Sequence, residues 1–297
     1  MSMAEAVRPA TRLESRKLHP QIGAEISGVD LTKDVDAETF AEIRQAIGEH
    51  GMLVFRNQSG LEGEQQLDFA ARFGEIAERL IPPKQETRDR AVQWKHLMLI
   101  TDHVDEEGKP VGSLGHGEMW FHTDKCYVER PHRFSFLYGI ECPTIGGNTK
   151  FTSLYSAYEN MPAKYKERFK DTFVMQGQQY DVGRRIDITA PLETIHHYRQ
   201  PMFVKNPDSD KMALYVAAQN TMWIEGVEAE ESERILEELF AFTEDPANTY
   251  EHVWQVNDLL MWDNLACLHA RTDWPQDQTR MLRRCTVLGD RLWQPEG

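Results

Sequence analysis

Apolar and polar positions first fall into order near residue 22. Ile22-Gly23-Ala24-Glu25-Ile26 reads as a strand, and Ser27-Gly28-Val29-Asp30 as the turn that ends it. Phe40, Ile43 and Ile47 then recur at helical spacing, with Asp36 placed as the N-cap of a helix running through His50. Met52-Leu53-Val54-Phe55 is short and uniformly apolar, as a buried strand would be. Leu67, Ala70 and Phe73 define a second helix over 63–73. The pattern then weakens. The chain becomes polar and is broken by Pro82, Pro83 and Pro110, which predicts a lid loop near 77–117.

Order returns over 119–127 and 134–140, and Gly146-Gly147-Asn148 reads as a turn leading into Thr149-Lys150-Phe151-Thr152. Short helices are expected over 154–160 and 162–169, a second lid loop over 176–201, and a strand over 214–217. Ile235, Leu236, Leu239 and Phe240 mark an amphipathic helix over 228–242. Strand-like runs follow at 252–256, 259–262 and 282–288, with Asn257-Asp258 reading as a tight hairpin turn between the first two. No internal repeat or linker is visible. Early helices and later short strands suggest an α+β class. The expected organisation is a flexible tail over 1–15, then one mixed domain over 16–297 built on an antiparallel sandwich or barrel.

Composition narrows the partners. The 297 residues carry 48 acidic and 33 basic side chains, a net charge of −15, with 40% hydrophobic residues. A soluble globular chain of this size can bury a sizeable core. The acidic balance argues against non-specific binding to nucleic acid or an anionic membrane, while leaving room for a local positive pocket. Cys126, Cys142, Cys267 and Cys285 are scattered with no CxxC, so neither a disulfide framework nor a zinc knuckle is expected. There is no signal-peptide-like run and no stretch of about 18 apolar residues. The expectation is a cytoplasmic protein without a membrane span.

Candidate chemistry lies in His122-Thr123-Asp124, which sets an imidazole and a carboxylate two residues apart, on one face if the segment is a strand. With a distant His269 the set matches the facial triad of non-haem Fe(II) oxygenases, which keeps positions open for a co-substrate and O2. Taken alone, HxD also fits a surface histidine beside a turn aspartate, and His269 also fits a satisfied core histidine. His116 is a further candidate close to the motif, whereas His196 and His197 read as exposed loop residues. Arg280, Leu282 and Arg284 share parity in the last strand, placing two guanidinium groups about 13 Å apart along one face. Two inward arginines are costly unless each meets an anion. Arg283, of opposite parity, reads as solvated. Glu118 reads either as a solvated carboxylate or as a counter-charge for substrate. Lys84, Lys95, Arg184 and Arg185 lie in the lid segments, where they could close over an anion.

The ordered set IGAEISGVDL, QQLDFAARFGEI, FHTD, GGNTKFTS, WDNLACLHARTDW and RMLRRCTVLGD resembles the taurine / 2,4-dichlorophenoxyacetate dioxygenase family of Fe(II)/2-oxoglutarate enzymes, over nearly the whole chain. The resemblance implies a double-stranded β-helix (jelly roll) core with flanking helices. It implies His122, Asp124 and His269 as iron ligands, and Arg280 and Thr149 as partners of the distal carboxylate of 2-oxoglutarate. It implies Arg284 as the holder of an anionic substrate group, O2 as second co-substrate, and a homodimer or homotetramer. Because Asp124 is present, hydroxylation is expected rather than halogenation. The family's taurine-binding histidine has no counterpart in RFGEIAERLIPPK, its asparagine four before the metal histidine is Glu118, and its pocket phenylalanine is replaced near Asn220. Taurine is therefore not the expected substrate. A sulfonate, carboxylate, aryloxyalkanoate or sulfate ester is expected, with an amino acid or biosynthetic intermediate as the alternative. Two other classes stay open, a non-catalytic metal-binding jelly-roll sensor and a zinc hydrolase.

Overall fold

The computed structural model describes residues 13–78, 95–179 and 183–293. In chain order the elements are β1 (Glu14–Lys17), β2 (Ala24–Ser27), α1 (Ala37–His50), β3 (Met52–Phe55), α2 (Gly63–Ala71), β4 (Met98–Ile100), β5 (Met119–His122), β6 (His132–Glu141) and β7 (Thr149–Ser153). They continue with α3 (Leu154–Asn160), α4 (Ala163–Arg168), β8 (Phe173–Gln178), β9 (His196–Pro201), β10 (Phe203–Lys205), β11 (Met212–Leu214) and β12 (Thr221–Ile224). The last are α5 (Ala229–Thr243), β13 (Thr249–His252), β14 (Leu259–Asp263), β15 (Cys267–Arg271) and β16 (Met281–Leu288).

A seven-stranded sheet of order β1-β2-β3-β14-β6-β16-β4 and a four-stranded sheet of order β13-β7-β15-β5 form the centre. A three-stranded sheet, β12-β8-β9, and the pair β10-β11 flank them. Strand alternation decides the layering. Along β14, Leu259 and Met261 pack with Ile43, Ile47 and Phe69 of α1 and α2. Leu260 and Trp262, of opposite parity, pack with Phe151 and Cys267 of the four-stranded sheet. Helices thus cover one face of the larger sheet and the smaller sheet covers the other. Two faces that both need burial explain why β14 has no exposed position. Asp36 caps α1 as expected, its carboxylate accepting from the backbone N–H groups of Glu38 and Thr39.

Several expectations are corrected. β13 and β14 lie in different sheets, so Asn257-Asp258 does not close a hairpin. Asn257 does take the left-handed turn conformation (φ 70°). The connection instead crosses between sheets, and its Asp258 is tied to Arg56 at 2.5 Å and to His252 at 3.1 Å. The expected lid over 176–201 is partly sheet, since β8 and β9 pair antiparallel with His197 opposite Gly177. His196 and His197 are exposed, but on a strand rather than a loop. The strand expected over 214–217 is Met212–Leu214. Of the first lid, residues 79–94, including Lys84, lie outside the described residues, and β4 occupies part of the remainder.

Arg283 is not solvated. It is 6% exposed, its Nε donates to Gln66 Oε1 at 2.8 Å, and its guanidinium lies 4.8 Å from the Tyr138 ring centroid. Its parity points it away from the site as expected, but α2 covers that face. Arg184 and Arg185 are committed elsewhere: they pair with Glu237, Glu244 and Glu233 along and just beyond α5. Lys95 pairs with Glu78.

Candidate active site

His122 ends β5 and His269 sits mid-strand in β15, directly opposite it in the antiparallel register. Opposed side chains project to the same face, and the two imidazole centroids are 4.2 Å apart. Asp124 lies beyond the end of β5, in a turn, so strand alternation is not what delivers it. Its neighbour Thr123 is clamped instead. The Thr123 backbone N–H donates to Asn220 Oδ1 at 3.1 Å and its hydroxyl to the Asn264 carbonyl at 2.9 Å. Ser135 Oγ donates to Asp124 Oδ2 at 2.6 Å, and Arg284 forms an ion pair with the same oxygen. Asn264 Nδ2 donates to Ser135 Oγ at 3.1 Å, and Trp262 Nε1 donates to Asn264 Oδ1 at 3.0 Å. The result is one ligand atom from each of His122, Asp124 and His269, all within 4.8 Å of one another.

Protonation suits a cation. His122 Nδ1 lies 2.7 Å from the Trp120 carbonyl, which can only accept, so Nδ1 carries the hydrogen and Nε2 keeps its lone pair. Burial pushes His122 below the ordinary imidazole range. It pushes His269 well below, with the neighbouring His122 adding to the effect. Burial acts to raise Asp124, but the Arg284 guanidinium outweighs it and holds the carboxyl well below its usual range. Two neutral imidazoles and a carboxylate are therefore in place at neutral pH. The donor set fits Fe(II). A metal ion competes with protons only where the ligands are protonated. Mn(II) or Co(II) affinity should accordingly be flat from about pH 8 to about pH 7 and fall only below the ordinary imidazole pKa of about 6.5. Calorimetric titrations across pH would check this. A steady loss of affinity starting above pH ~7.5 would contradict it.

Arg280 lies just before β16 and a register shift separates it from Leu282, so simple parity with Arg284 does not place it. Its Nε donates to the Gly147 carbonyl at 2.8 Å. Gly147 has φ 64°, and a Cβ there would stand 2.9 Å from Arg280 Cδ, so only glycine lets the arginine lie against this turn. Arg280 is 2% exposed, and its buried Nη1 has no acceptor among the described residues. Burial, reinforced by the charge of Arg271, lowers it to about 9. A buried guanidinium with a free donor fits an anion that is not part of the chain. Thr149 starts β7, and its Oγ1 accepts from Trp254 Nε1 at 3.0 Å, which leaves the hydroxyl hydrogen to donate. The residues present thus fit both a divalent cation and a carboxylate.

The other sequence candidates fall elsewhere. Glu118 is exposed immediately before β5. His116 is stacked on Trp274 and lies 2.6 Å from Asp102, apart from the triad. Ser135, Asn220 and Trp254 were missed as positioning residues. Trp262 and Asn264, both in the WDN string, are the members of this network that carry a sequence signal.

Known proteins with the same pattern are numerous. The family model described as "Taurine catabolism dioxygenase TauD, TfdA family" matches residues 14–286. Pentalenolactone F synthase of Streptomyces avermitilis is 30% identical, over 93% of this chain and 94% of its own. The alpha-ketoglutarate-dependent 2,4-dichlorophenoxyacetate dioxygenase of a Burkholderia species is 26% identical, over 94% and 95%. The crystal structure of a putative alpha-ketoglutarate-dependent taurine dioxygenase from Burkholderia xenovorans superimposes with a TM-score of 0.76 at 27% identity, covering 96% of both chains.

Proposed function

The chain belongs to the TauD/TfdA dioxygenase family, and from that premise we propose that His122, Asp124 and His269 hold Fe(II), that Arg280 and Thr149 hold 2-oxoglutarate, and that the substrate is a small anionic molecule. The protein is a 2-oxoglutarate-dependent non-haem iron dioxygenase, with Fe(II), 2-oxoglutarate and O2 as its reagents. Readings as a non-catalytic sensor or a zinc hydrolase give way to it. The observation that carries the site assignment is the pairing of two features: three convergent ligand atoms, and a buried arginine whose Nη1 lacks an acceptor among the described residues.

When bound, Fe(II) supplies the reducing centre at which O2 oxidises 2-oxoglutarate to succinate and CO2 and a substrate C–H to C–OH. The chain's own residues prepare that centre. Trp120 fixes the tautomer of His122, and Ser135 and Asn264 orient Asp124. Arg280 and Thr149 offer convergent donors to one carboxylate, and a guanidinium does this with a fork that an ammonium lacks. Arg284 is tied to Asp124 through Nη2, while its buried Nε has no acceptor among the described residues, which leaves a donor for an anionic substrate group beside the metal ligands.

The facing seven- and four-stranded sheets support reading the core as a double-stranded β-helix with flanking helices. The span of the family match supports one domain over 16–297. A homodimer or homotetramer is the assembly proposed. Among the described residues no helix is long and apolar enough to cross a membrane.

Substrate class is tested by reading succinate across sulfonates, aryloxyalkanoates, alkyl sulfates and amino acids. Fe(II)-dependent succinate formation should rise with an anionic compound, and stimulation by neutral compounds alone would refute the substrate reading. With a substrate in hand, Arg284→Ala should raise its KM about 30-fold or more, and Arg284→Lys should recover part of the loss. A relative that is a pentalenolactone F synthase supports a second reading, oxidation of a biosynthetic intermediate. The same panel distinguishes the two.

A further inference from the structure

One buried cation near the site has no role in this reading. We propose that Arg271 is a positioning residue of the 2-oxoglutarate subsite, clamping residues 114–117 as its wall and adding to the positive field at Arg280. The inference rests on the assignment of Arg280 and Thr149 as the co-substrate anchors.

Register places Arg271 on the working face. His269 and Arg271 are two apart in β15, and Arg271 is the direct partner of Thr149 on β7. Opposed residues of an antiparallel pair project to one face, so Arg271, Thr149 and His269 line the same side of the four-stranded sheet. On its other side Arg271 partners Met119 of β5, across a register shift that interrupts the ladder between His269 and Arg271. β5 is a four-residue edge strand, weakly held by backbone pairing alone.

The guanidinium compensates for that interruption. Nη1 donates to the Leu114 carbonyl at 2.5 Å, and Nη2 to those of Gly115 at 2.7 Å and Gly117 at 2.5 Å. Nε adds a longer bond to Gly117 at 3.2 Å. The Gly117 N–H is held in turn by Asp273 Oδ1 at 3.0 Å. Arg271 is 8% exposed, and its hydrogen-bond acceptors among the described residues are all neutral carbonyls, while Asp273 and Asp102 act on its charge without forming an ion pair with it. It also stands beside Arg280. The two guanidinium carbons lie 5.1 and 5.4 Å from the centroid of the same Trp274 ring. Burial, with the charge of Arg271 added to it, lowers Arg280. A dicarboxylate arriving at Arg280 relieves both cations. Loop geometry and local charge are thus supplied by one side chain.

Asp124 and its neighbour Thr123 are secured separately, by Ser135, Asn220 and Asn264, and His122 Nδ1 is held by the Trp120 carbonyl, so the two effects can be told apart. The experiment is anaerobic calorimetric titration of Mn(II)-loaded protein with 2-oxoglutarate, for wild type, Arg271→Met, Arg271→Lys and Arg280→Met. Arg271→Met should weaken 2-oxoglutarate about 30-fold, and Arg271→Lys, which keeps the charge and loses the fork, about 5-fold. Mn(II) affinity should stay within about 3-fold in both, because the ligand clamps are untouched. Wild-type 2-oxoglutarate affinity in Arg271→Met overturns the proposal; if that variant does not fold, wild-type affinity in Arg271→Lys overturns it. Equal losses for Mn(II) and 2-oxoglutarate also overturn it, because they mark a general structural role. Unchanged binding in Arg280→Met would instead remove the site reading on which the proposal stands.

Discussion

Arg280→Met is expected to bring 2-oxoglutarate affinity down by about 2–5 kcal/mol, from roughly 30-fold to several-thousand-fold, because a buried charged partner of a carboxylate is lost. Mn(II) binding at the triad should persist. Arg280 is buried, its Nε donates to the Gly147 carbonyl, and its Nη1 has no acceptor among the described residues. Such a cation destabilises the free protein until an anion arrives. Methionine keeps an unbranched apolar stem and carries no charge, so the variant should melt no lower than wild type without 2-oxoglutarate. It should also lose the rise in Tm that the ligand gives wild type. Thermal melts with and without 2-oxoglutarate, together with the titration, check both statements. An unchanged affinity would show that the carboxylate binds elsewhere.

The second large effect concerns the metal. His269→Ala should weaken Mn(II) or Fe(II) binding at least about 100-fold and reduce succinate formation to background. Groups that merely orient a ligand cost about 10–100-fold when removed, so a ligand itself sets the upper end as a floor. Removing this imidazole also opens space among Phe151, Trp262 and His122, which pack around it. His269→Gln, which keeps more of the volume, separates packing loss from ligand loss. His196→Ala and His197→Ala serve as controls on exposed positions, where metal binding should not change. Metal affinity within about 3-fold of wild type in both His269 variants would remove this residue from the ligand set.

Much of this was legible along the chain. Helical periodicity placed α1, α2 and α5 because each has one apolar stripe and a covered face, and Asp36 announced its cap. His122, Asp124, His269, Thr149, Arg280 and Arg284 stood out because the order and spacing of their motifs resembled a family. The positioning residues did not. Ser135 and Asn220 are ordinary polar residues outside the quoted motifs, and only the fold brings their side chains within hydrogen-bond reach of Asp124 and Thr123. Asn257-Asp258 carried a correct turn signal and a wrong topology. A turn conformation is decided over a few residues, whereas the sheet that receives the next strand is decided by what that strand packs against.

The segment Arg280-Met281-Leu282-Arg283-Arg284 shows the division most clearly. Alternation along the chain determined that Arg283 and Arg284 face opposite ways, because backbone geometry sets that within the strand. It did not determine what lies on either side. Tertiary structure put α2 over Arg283, Asp124 against Arg284, and Gly147 and Trp274 around Arg280. The physical reason is one of range. Side-chain direction follows from local dihedral angles, but Gly147, Gln66 and Asp124, which meet Arg280, Arg283 and Arg284, each lie more than 100 positions away, and only long-range packing selects them.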